Sequence, residues 1–202
     1  MIFDALIIGG GAAGLSCALV LGSAKEKPFA ENKTIGIITH QKTSHLQNAL
    51  FNNVLGLDPG TLGSDILKSG TQQLKDLYPH IDQIENEKVK SILRSNGSFK
   101  IETNKNTYET KAAVIAVGYT NLLNIKGLES FVDMHPKANV EKNRIWLKNN
   151  DHLIVNDLYV AGTLAGHRSQ FAIACGSGAA VATDILTLWN KGKHTKVHDK
   201  IS

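Results

Sequence analysis

The sequence predicts an α/β fold built around a parallel β-sheet, and three observations support this prediction. Residues 2–8 form a short apolar run, which is typical of a strand buried on both faces. A Gly-rich turn and a helical segment rich in small and apolar residues follow directly. Residues 34–39 then form a second apolar run. Together these segments predict a strand–helix–strand unit with a right-handed crossover.

Later segments extend this architecture into a three-layer, Rossmann-like domain. Apolar spacing predicts an amphipathic helix from Leu62 to Tyr78, and residues 112–118 and 158–162 indicate two more core strands. Residues 80–110 alternate in short β-like runs around Asn96-Gly97, which predicts a small antiparallel β element with a hairpin. Residues 119–157 look irregular apart from a strand near 144–147, and residues 169–190 predict a long helix rich in Ala and Gly.

The composition and charge of the sequence indicate which partners and which location to expect. The 202 residues are 42% hydrophobic and carry a formal net charge of +4, with several lysines near the C-terminus. No nucleic-acid-binding motif accompanies that charge, so no nucleic-acid partner is expected. No run of about 18 apolar residues suggests a membrane span. The N-terminus lacks the features of a signal peptide, and the two cysteines form no C-x-x-C pair, so a cytoplasmic location is expected.

The motif Gly9-x-Gly11-x-x-Gly14 indicates a dinucleotide-binding turn. It follows a predicted strand and opens a predicted helix, which is the context that the motif requires. The first glycine permits the tight turn, the second lets the backbone approach a pyrophosphate, and the third lets the helix pack against the sheet. The helix N-terminus then offers N–H groups and partial positive charge to the phosphates.

The end of the second strand departs from the usual pattern. An acidic residue normally binds the adenosine ribose there, whereas this chain has Thr39 and His40. Both side chains can hydrogen-bond a ribose, and His40 with Lys42 could instead face a ribose phosphate. The motif alone therefore leaves both FAD and NADP open.

Further motifs resemble the FAD domain of the thioredoxin reductase family of pyridine nucleotide-disulfide oxidoreductases. The resemblance covers residues 2–130 and about 145–190. Residues 7–16 match its opening, residues 52–56 its Glu-Asn-x-Pro-Gly turn, and residues 116–118 its Ala-Thr-Gly segment. Residues 160–163 stand where the family has Ala-Gly-Asp, and residues 170–178 resemble its Gln-Ala-x-x-Ala-x-Gly-x-Gly helix.

The resemblance implies that FAD is the cofactor and assigns positions to it. The implied contacts are Gly9, Gly11, Ala12, Ala13 and Gly14 at the pyrophosphate, Thr39 and His40 at the adenosine ribose, Val89 at the adenine, Asn53 near the flavin, Gly118 beside the cofactor, Gly162 and Thr163 at the ribityl chain, and Gln170 and Phe171 at the pyrimidine end. Thr163 replaces an Asp, so weaker binding of FAD is expected. The helix beginning near Gln170 would stabilise negative charge on reduced flavin.

Two family features are absent from this sequence. Residues 131–144 form a short link where the family carries its NADPH domain, and neither a second Gly-x-Gly-x-x-Gly nor the redox-active C-x-x-C occurs. Residues 1–202 are therefore expected to form one FAD- or NAD(P)-binding domain. Its electrons would come from free NAD(P)H, acting as a transient donor, or from a separate donor protein. Disulfide reduction by the family's own mechanism is excluded for this chain alone.

Alternatives to an oxidoreductase stay open at this stage. A non-catalytic FAD-binding module, such as a redox sensor or a subunit of a larger complex, fits the same motifs, and so does an NAD(P)-binding regulator. The family often forms dimers, so a homodimer is one expectation. No residue stands out as catalytic and no metal-ligand spacing occurs. Packing is favoured over a redox role for Cys17 and for Cys175.

Overall fold

A computed structural model describes residues 2–40, 44–120 and 123–197. The first unit is as the sequence predicts. Strand β1 (Ile2–Ile8) leads through the Gly-rich turn into helix α1 (Ala12–Ser23), and β2 (Ile35–Thr39) pairs with β1 in parallel. A small hairpin of β3 (Leu50–Phe51) and β4 (Thr61–Leu62) precedes helix α2 (Gly63–Leu77).

The second half of the fold begins with strand β5 (Ile81–Glu85). Strands β6 (Val89–Ser95) and β7 (Ser98–Thr103) form the predicted hairpin at Asn96-Gly97, and β8 (Thr107–Ile115) follows. Strands β9 (Val132–Met134) and β10 (Ile145–Leu147) pair with each other. Strands β11 (Leu153–Val155) and β12 (Leu158–Val160) precede the long helix α3 (Phe171–Trp189).

Within the described residues, the parallel strands lie in the order β12-β8-β1-β2-β5. Counted along the chain, this is the order 5-4-1-2-3, which characterises a doubly wound nucleotide-binding sheet. The direction of winding reverses between β1 and β8. Ligands of such sheets bind at the carboxyl ends of the strands beside this switch point, so the fold itself selects one edge for the site.

Two predicted boundaries differ from those observed. Residues 81–85 do not join the antiparallel element; they form β5, the edge strand of the parallel sheet, beside β2. The strand predicted over residues 112–118 begins at Thr107 and ends at Ile115, because its first half pairs antiparallel with β7 and its second half parallel with β1. The last three residues of the predicted strand, 116–118, lie beyond the end of β8.

The core divides into two apolar clusters, one on each face of the sheet. Alternate sheet residues such as Ile7 and Ile37 pack under α1, α2 and α3. Their neighbours Leu6 and Ile38 pack against the β6–β7 hairpin and the segment that carries β10. This alternation follows from the two-residue period of a strand. The result is the predicted arrangement of three layers: helices, parallel sheet and antiparallel β element.

Helix α3 is the one helix of the described chain that is long and apolar enough to cross a bilayer. Core helices of folded proteins meet the same criterion. In this structure Val181, Ala182, Ile185 and Leu186 of α3 are buried in the helix-side cluster. The absence of a membrane span stays a prediction from the sequence.

Candidate dinucleotide-binding site

The turn after β1 lies at the switch point of the sheet. Gly9 has φ of +119°, and its N–H donates to the carbonyl oxygen of Ile38 at 2.9 Å. A Cβ at Gly9 would stand 2.4 Å from the carbonyl oxygen of Ala116. The backbone conformation and the close approach of β8 therefore both require glycine at this position.

Gly11 and Gly14 serve different purposes. A Cβ at Gly14 would stand 1.8 Å from the Gly9 carbonyl oxygen, so Gly14 permits α1 to pack against the turn. A Cβ at Gly11 would meet no atom within 4 Å. Gly11 is the N-cap of α1 and has no side chain with which to cap the helix, and the first turn of α1 holds no acidic residue. The open space at Gly11 thus fits an anionic group such as a pyrophosphate.

The end of β2 places Thr39 and His40 on the same edge of the sheet. Thr39 is buried and lies opposite Glu85 of β5, and His40 follows it half-buried. Lys42 lies outside the described residues. Glu85 is an exposed acid on the strand next to β2, where sequence reasoning looked for an acid only on β2 itself. The pairing register that brings Glu85 beside Thr39 is not visible in the sequence.

Val89 lies at the start of β6, buried in the same cluster as Ile8 and Ile38. A hydrogen-bonded carboxylate supports this segment. The buried Glu87 accepts from Thr103 Oγ1 at 2.6 Å and from Asn106 Nδ2 at 2.7 Å, and also from Tyr108. Burial works to raise the pKa of Glu87, but these hydrogen bonds outweigh it and leave the pKa below its ordinary value.

Gly118 lies exposed just beyond β8, next to a cluster of rings centred on Tyr119. The Tyr119 ring lies 6.0 Å from the His45 ring and 5.4 Å from the His135 ring, and the Arg144 guanidinium sits 4.8 Å from its centroid. Arg144 Nε is buried and has no hydrogen-bond partner within the described parts of the chain. Sequence reasoning missed this cluster because its members come from three distant segments.

The loop after β12 carries Gly162 and Thr163. Gly162 has φ of +79°, and its N–H donates to the buried Ser177 Oγ at 2.7 Å. The Lys137 N–H donates to His135 Nδ1 at 3.1 Å, so the ring proton of neutral His135 lies on Nε2. That N–H donates to the Thr163 carbonyl oxygen at 3.0 Å. The link at 131–144 therefore anchors the predicted ribityl loop directly.

Helix α3 begins at Phe171, with Gln170 as its N-cap. No side chain caps this helix, and its first turn holds no acidic residue, so its N-terminus offers N–H groups as α1 does. The Phe171 ring lies 5.0 Å from the Phe51 ring, at an interplanar angle of 47°. Phe51 ends β3, directly before the loop that holds the exposed Asn53. The pair thus connects Asn53 to the start of α3.

Neither cysteine has the environment of a reactive thiol. Burial raises the pKa of Cys17, which lies in α1, well above the range of a reactive thiol. Burial also raises the pKa of the half-buried Cys175, although a hydrogen bond with Ser16 opposes this. Both are free thiols. Among the described residues, no group of three His, Cys, Asp or Glu side chains is placed to hold a metal ion.

The fold is a doubly wound α/β domain, and the predicted site residues Gly9, Gly11 and Gly118 lie near the switch point between β1 and β8. Residues 3–170 match the family model described as pyridine nucleotide-disulphide oxidoreductase, and the chain belongs to that family. The expected resemblance and fold class are confirmed. The roles of the individual site residues toward a cofactor stay predictions.

Comparison with solved structures shows the same fold at low identity. A thioredoxin reductase from Gloeobacter violaceus aligns with a TM-score of 0.72 and 14% identity, over 100% of this chain and 99% of that one. A ferredoxin-flavin thioredoxin reductase from Clostridium acetobutylicum aligns with 0.69 and 16%, over 95% and 98%. A thioredoxin reductase from T. acidophilum aligns with 0.67 and 18%, over 94% and 98%. A comparison with curated proteins found no match.

Proposed function

We propose that this chain is an FAD-binding flavoprotein that acts as an oxidoreductase, with electrons from free NAD(P)H or from a separate donor protein. Membership of the pyridine nucleotide-disulphide oxidoreductase family and the Rossmann-like fold support FAD binding. Bound FAD would supply the electron transfer, and the protein would supply binding, orientation and electrostatics. A cytoplasmic location and a homodimer belong to the same proposal.

The observation that carries the proposal is the open N-terminus of α1 beneath the Gly-rich turn. Gly9 and Gly14 are enclosed by backbone, whereas Gly11 faces free space at an uncapped helix N-terminus. Packing explains Gly9 and Gly14 without a ligand. Packing does not explain Gly11, because a Cβ there would lie within 4 Å of no atom of the described residues. A diphosphate lying against this turn accounts for all three.

FAD is favoured over a nicotinamide dinucleotide because the loop that carries Thr163 and the start of α3 adjoin the Gly-rich turn. A Cβ at Gly162 would lie 3.1 Å from Ala13 Cβ, so the loop carrying Thr163 touches the first turn of α1. The uncapped N-terminus of α3 follows that loop. A cofactor that begins at the pyrophosphate turn would continue past Thr163 toward Gln170, which is the course expected of FAD in this family. The exposed Glu85 beside Thr39 also disfavours a ribose phosphate.

The proposed source of electrons rests on the sequence of the segment between β8 and β11. That segment holds no second Gly-x-Gly-x-x-Gly, and the sequence has no C-x-x-C. A nicotinamide donor would therefore approach from solution or from a partner. One structural neighbour is a ferredoxin-flavin thioredoxin reductase, which makes a ferredoxin-type donor worth testing alongside NADPH and NADH.

The test is the visible absorption spectrum of the protein before and after each donor is added without oxygen. Flavin peaks that bleach with NADPH, NADH or ferredoxin support the oxidoreductase. Flavin peaks that no donor bleaches favour a non-catalytic FAD-binding module. Retention of NAD(P) without flavin would favour an NAD(P)-binding regulator. Both of these outcomes contradict the proposed activity, and the second also contradicts FAD as the ligand.

Gly11→Val is the matched variant for this test. The added side chain enters the open space at the N-terminus of α1, so flavin binding is expected to fall more than about tenfold. Because valine is a poorer N-cap than glycine, the apoprotein is expected to lose up to about 1 kcal/mol of stability but to stay folded. Gly176→Ala is the control, because its Cβ also meets no atom within 4 Å but lies inside α3. Equal flavin retention by the two variants would contradict the placement of the pyrophosphate.

A further inference from the structure

A separate cleft of about 230 Å³ lies where the 131–144 link meets the loop after β12. Three segments form it: residues 136–137 with Trp146, the turn at 149–152, and the loop at 165–167. A Cβ at Gly166 would stand 2.9 Å from the Trp146 ring, so the indole packs closely against that loop and forms a firm wall. No residue of the Gly-rich turn lines this cleft.

Two histidines lie side by side in this cleft. The rings of His152 and His167 are 5.1 Å apart at an angle of 49°. His152 is buried, and its Nδ1 lies 3.0 Å from the Val160 carbonyl oxygen, so Nδ1 carries a proton and donates it. Its Nε2 is then the ring nitrogen that takes no part in the bond to Val160. A buried imidazole held in one tautomer is pre-organised for a ligand.

Basic groups outnumber acidic ones around the two rings. Lys137, His152 and His167 line the cleft, and Asp151 is the one carboxylate among the described lining residues. Asp184 faces Asp151 and His152 from α3, and both burial and Asp151 raise its pKa. His152 acts in the opposite direction on Asp184, so Asp184 is the second carboxylate beside the two rings.

The same charged neighbours affect the pKa of His167. Burial lowers its pKa, and the neighbouring His152, Lys137 and His135 lower it further, whereas Asp151 acts in the opposite direction. His167 is therefore neutral in the empty cleft near neutral pH. An added negative charge would reverse the effect of these neighbours and favour the imidazolium form.

We propose that this cleft binds a small oxyanion, a single phosphate or carboxylate group, held by Lys137, His152 and His167. The ligand would lie outside the predicted dinucleotide site, because no residue assigned to that site lines the cleft. His135, next to the lining residue Pro136, hydrogen-bonds the Thr163 carbonyl oxygen. Both chemistries present charged oxygens to N–H donors, and charge-assisted hydrogen bonds of this kind are the strong ones.

Binding is coupled to protonation. His167 is neutral without the anion and protonated with it, so the complex takes up a proton. The affinity for a carboxylate such as acetate, which stays ionised over this range, is therefore expected to rise as the pH falls from about 8 to about 6. Lys137 adds a further basic side chain to the lining of the cleft.

The experiment is a titration of the purified protein with inorganic phosphate, and separately with acetate, at constant ionic strength set by sodium chloride. The side-chain nitrogen resonances of His152 and His167 are followed by NMR. The expected result is a saturable change in the resonances of both rings, with His167 shifting toward imidazolium, which sodium chloride does not produce. Shifts with phosphate but not acetate identify a phosphate site, shifts with acetate but not phosphate identify a carboxylate site, and shifts with both identify a site for either oxyanion.

Lys137→Met and Lys142→Met form a matched pair, because both lysines are exposed on the same link and Lys137 keeps its backbone bond to His135. Lys137→Met is expected to weaken binding about tenfold, and Lys142→Met to leave it unchanged. His167→Gln should abolish the proton uptake measured by calorimetry. Absence of saturable shifts with either probe, or equal weakening by the two lysine variants, would overturn the proposal. The titration needs no flavin, so its failure is distinct from failure of the proposed oxidoreductase.

Discussion

Gly178 of α3 lies directly against the main chain of Ala13 in α1, so that a Cβ at position 178 would stand 1.9 Å from the Ala13 carbonyl oxygen. Ala13 also belongs to the turn of α1 that faces the proposed pyrophosphate. The contact therefore sets how the loop at Gly162 and the start of α3 approach that turn. It is the structural relationship on which the proposed length of the cofactor site depends.

Gly178→Ala is predicted to destabilise the protein by about 1–3 kcal/mol or more, because rigid backbone must move to admit the methyl group. The free energy of unfolding in urea measures this. Gly176→Ala is the control, since its Cβ meets open space inside the same helix and should stabilise by up to about 1 kcal/mol. Equal effects at 176 and 178 would show that the helices do not cross as described.

The contact between Phe51 and Phe171 predicts coupling between the Asn53 loop and α3. At 5.0 Å and 47° the rings are close enough to contribute about 0.5–1.5 kcal/mol beyond their burial. A double-mutant cycle of Phe51→Leu and Phe171→Leu should recover a coupling energy of that size. Leu55→Ala, in the exposed tip of the same loop, should show no coupling to Phe171→Leu. Additive losses for the two phenylalanines would contradict the contact.

The environment of Glu87 in the folded protein predicts how stability depends on pH. Its pKa is lowered in the folded state, since hydrogen bonds to the carboxylate outweigh its burial, so its stabilising contribution is present above the unfolded pKa and is lost as the pH falls through the folded pKa. Glu87→Gln should cost about 1–3 kcal/mol near neutral pH and flatten the loss of stability in acid. Denaturant titrations from about pH 7 to about pH 3 measure both effects.

The control for this prediction is Glu141→Gln, on the exposed side of the link. It should leave both the stability and its slope with pH unchanged. A Glu87→Gln variant whose acid profile matches that of the wild type would contradict the assigned role of the carboxylate.

Substitutions of Thr163 are predicted to change the affinity for FAD in a defined direction. The family resemblance places an Asp there, and Thr163 lies half-buried with its carbonyl oxygen fixed by His135. Thr163→Asp is expected to tighten FAD binding about tenfold, because a charged acceptor hydrogen-bonds a hydroxyl more strongly than a neutral one. Thr163→Val should weaken it. Quenching of flavin fluorescence measures both, and a weaker or unchanged Thr163→Asp variant would contradict the ribityl position.

The sequence predicted the central strands because their burial demands continuous apolar runs. It did not place residues 81–85 in the parallel sheet, since Asp82, Gln83 and Glu85 give this edge strand the polarity of an exposed hairpin. The Gly-x-Gly-x-x-Gly turn was predictable because its spacing reflects local backbone geometry. The bond from His135 to Thr163 was not, because it joins positions 28 residues apart and depends on how the link folds back.

The most direct test of the account is the absorption spectrum of the protein purified without added cofactor, repeated after incubation with FAD and removal of the excess. The account predicts flavin peaks that remain with the wild-type protein and are lost with Gly11→Val. A colourless wild-type protein that also takes up no FAD would contradict the central claim that this edge of the sheet holds a flavin dinucleotide.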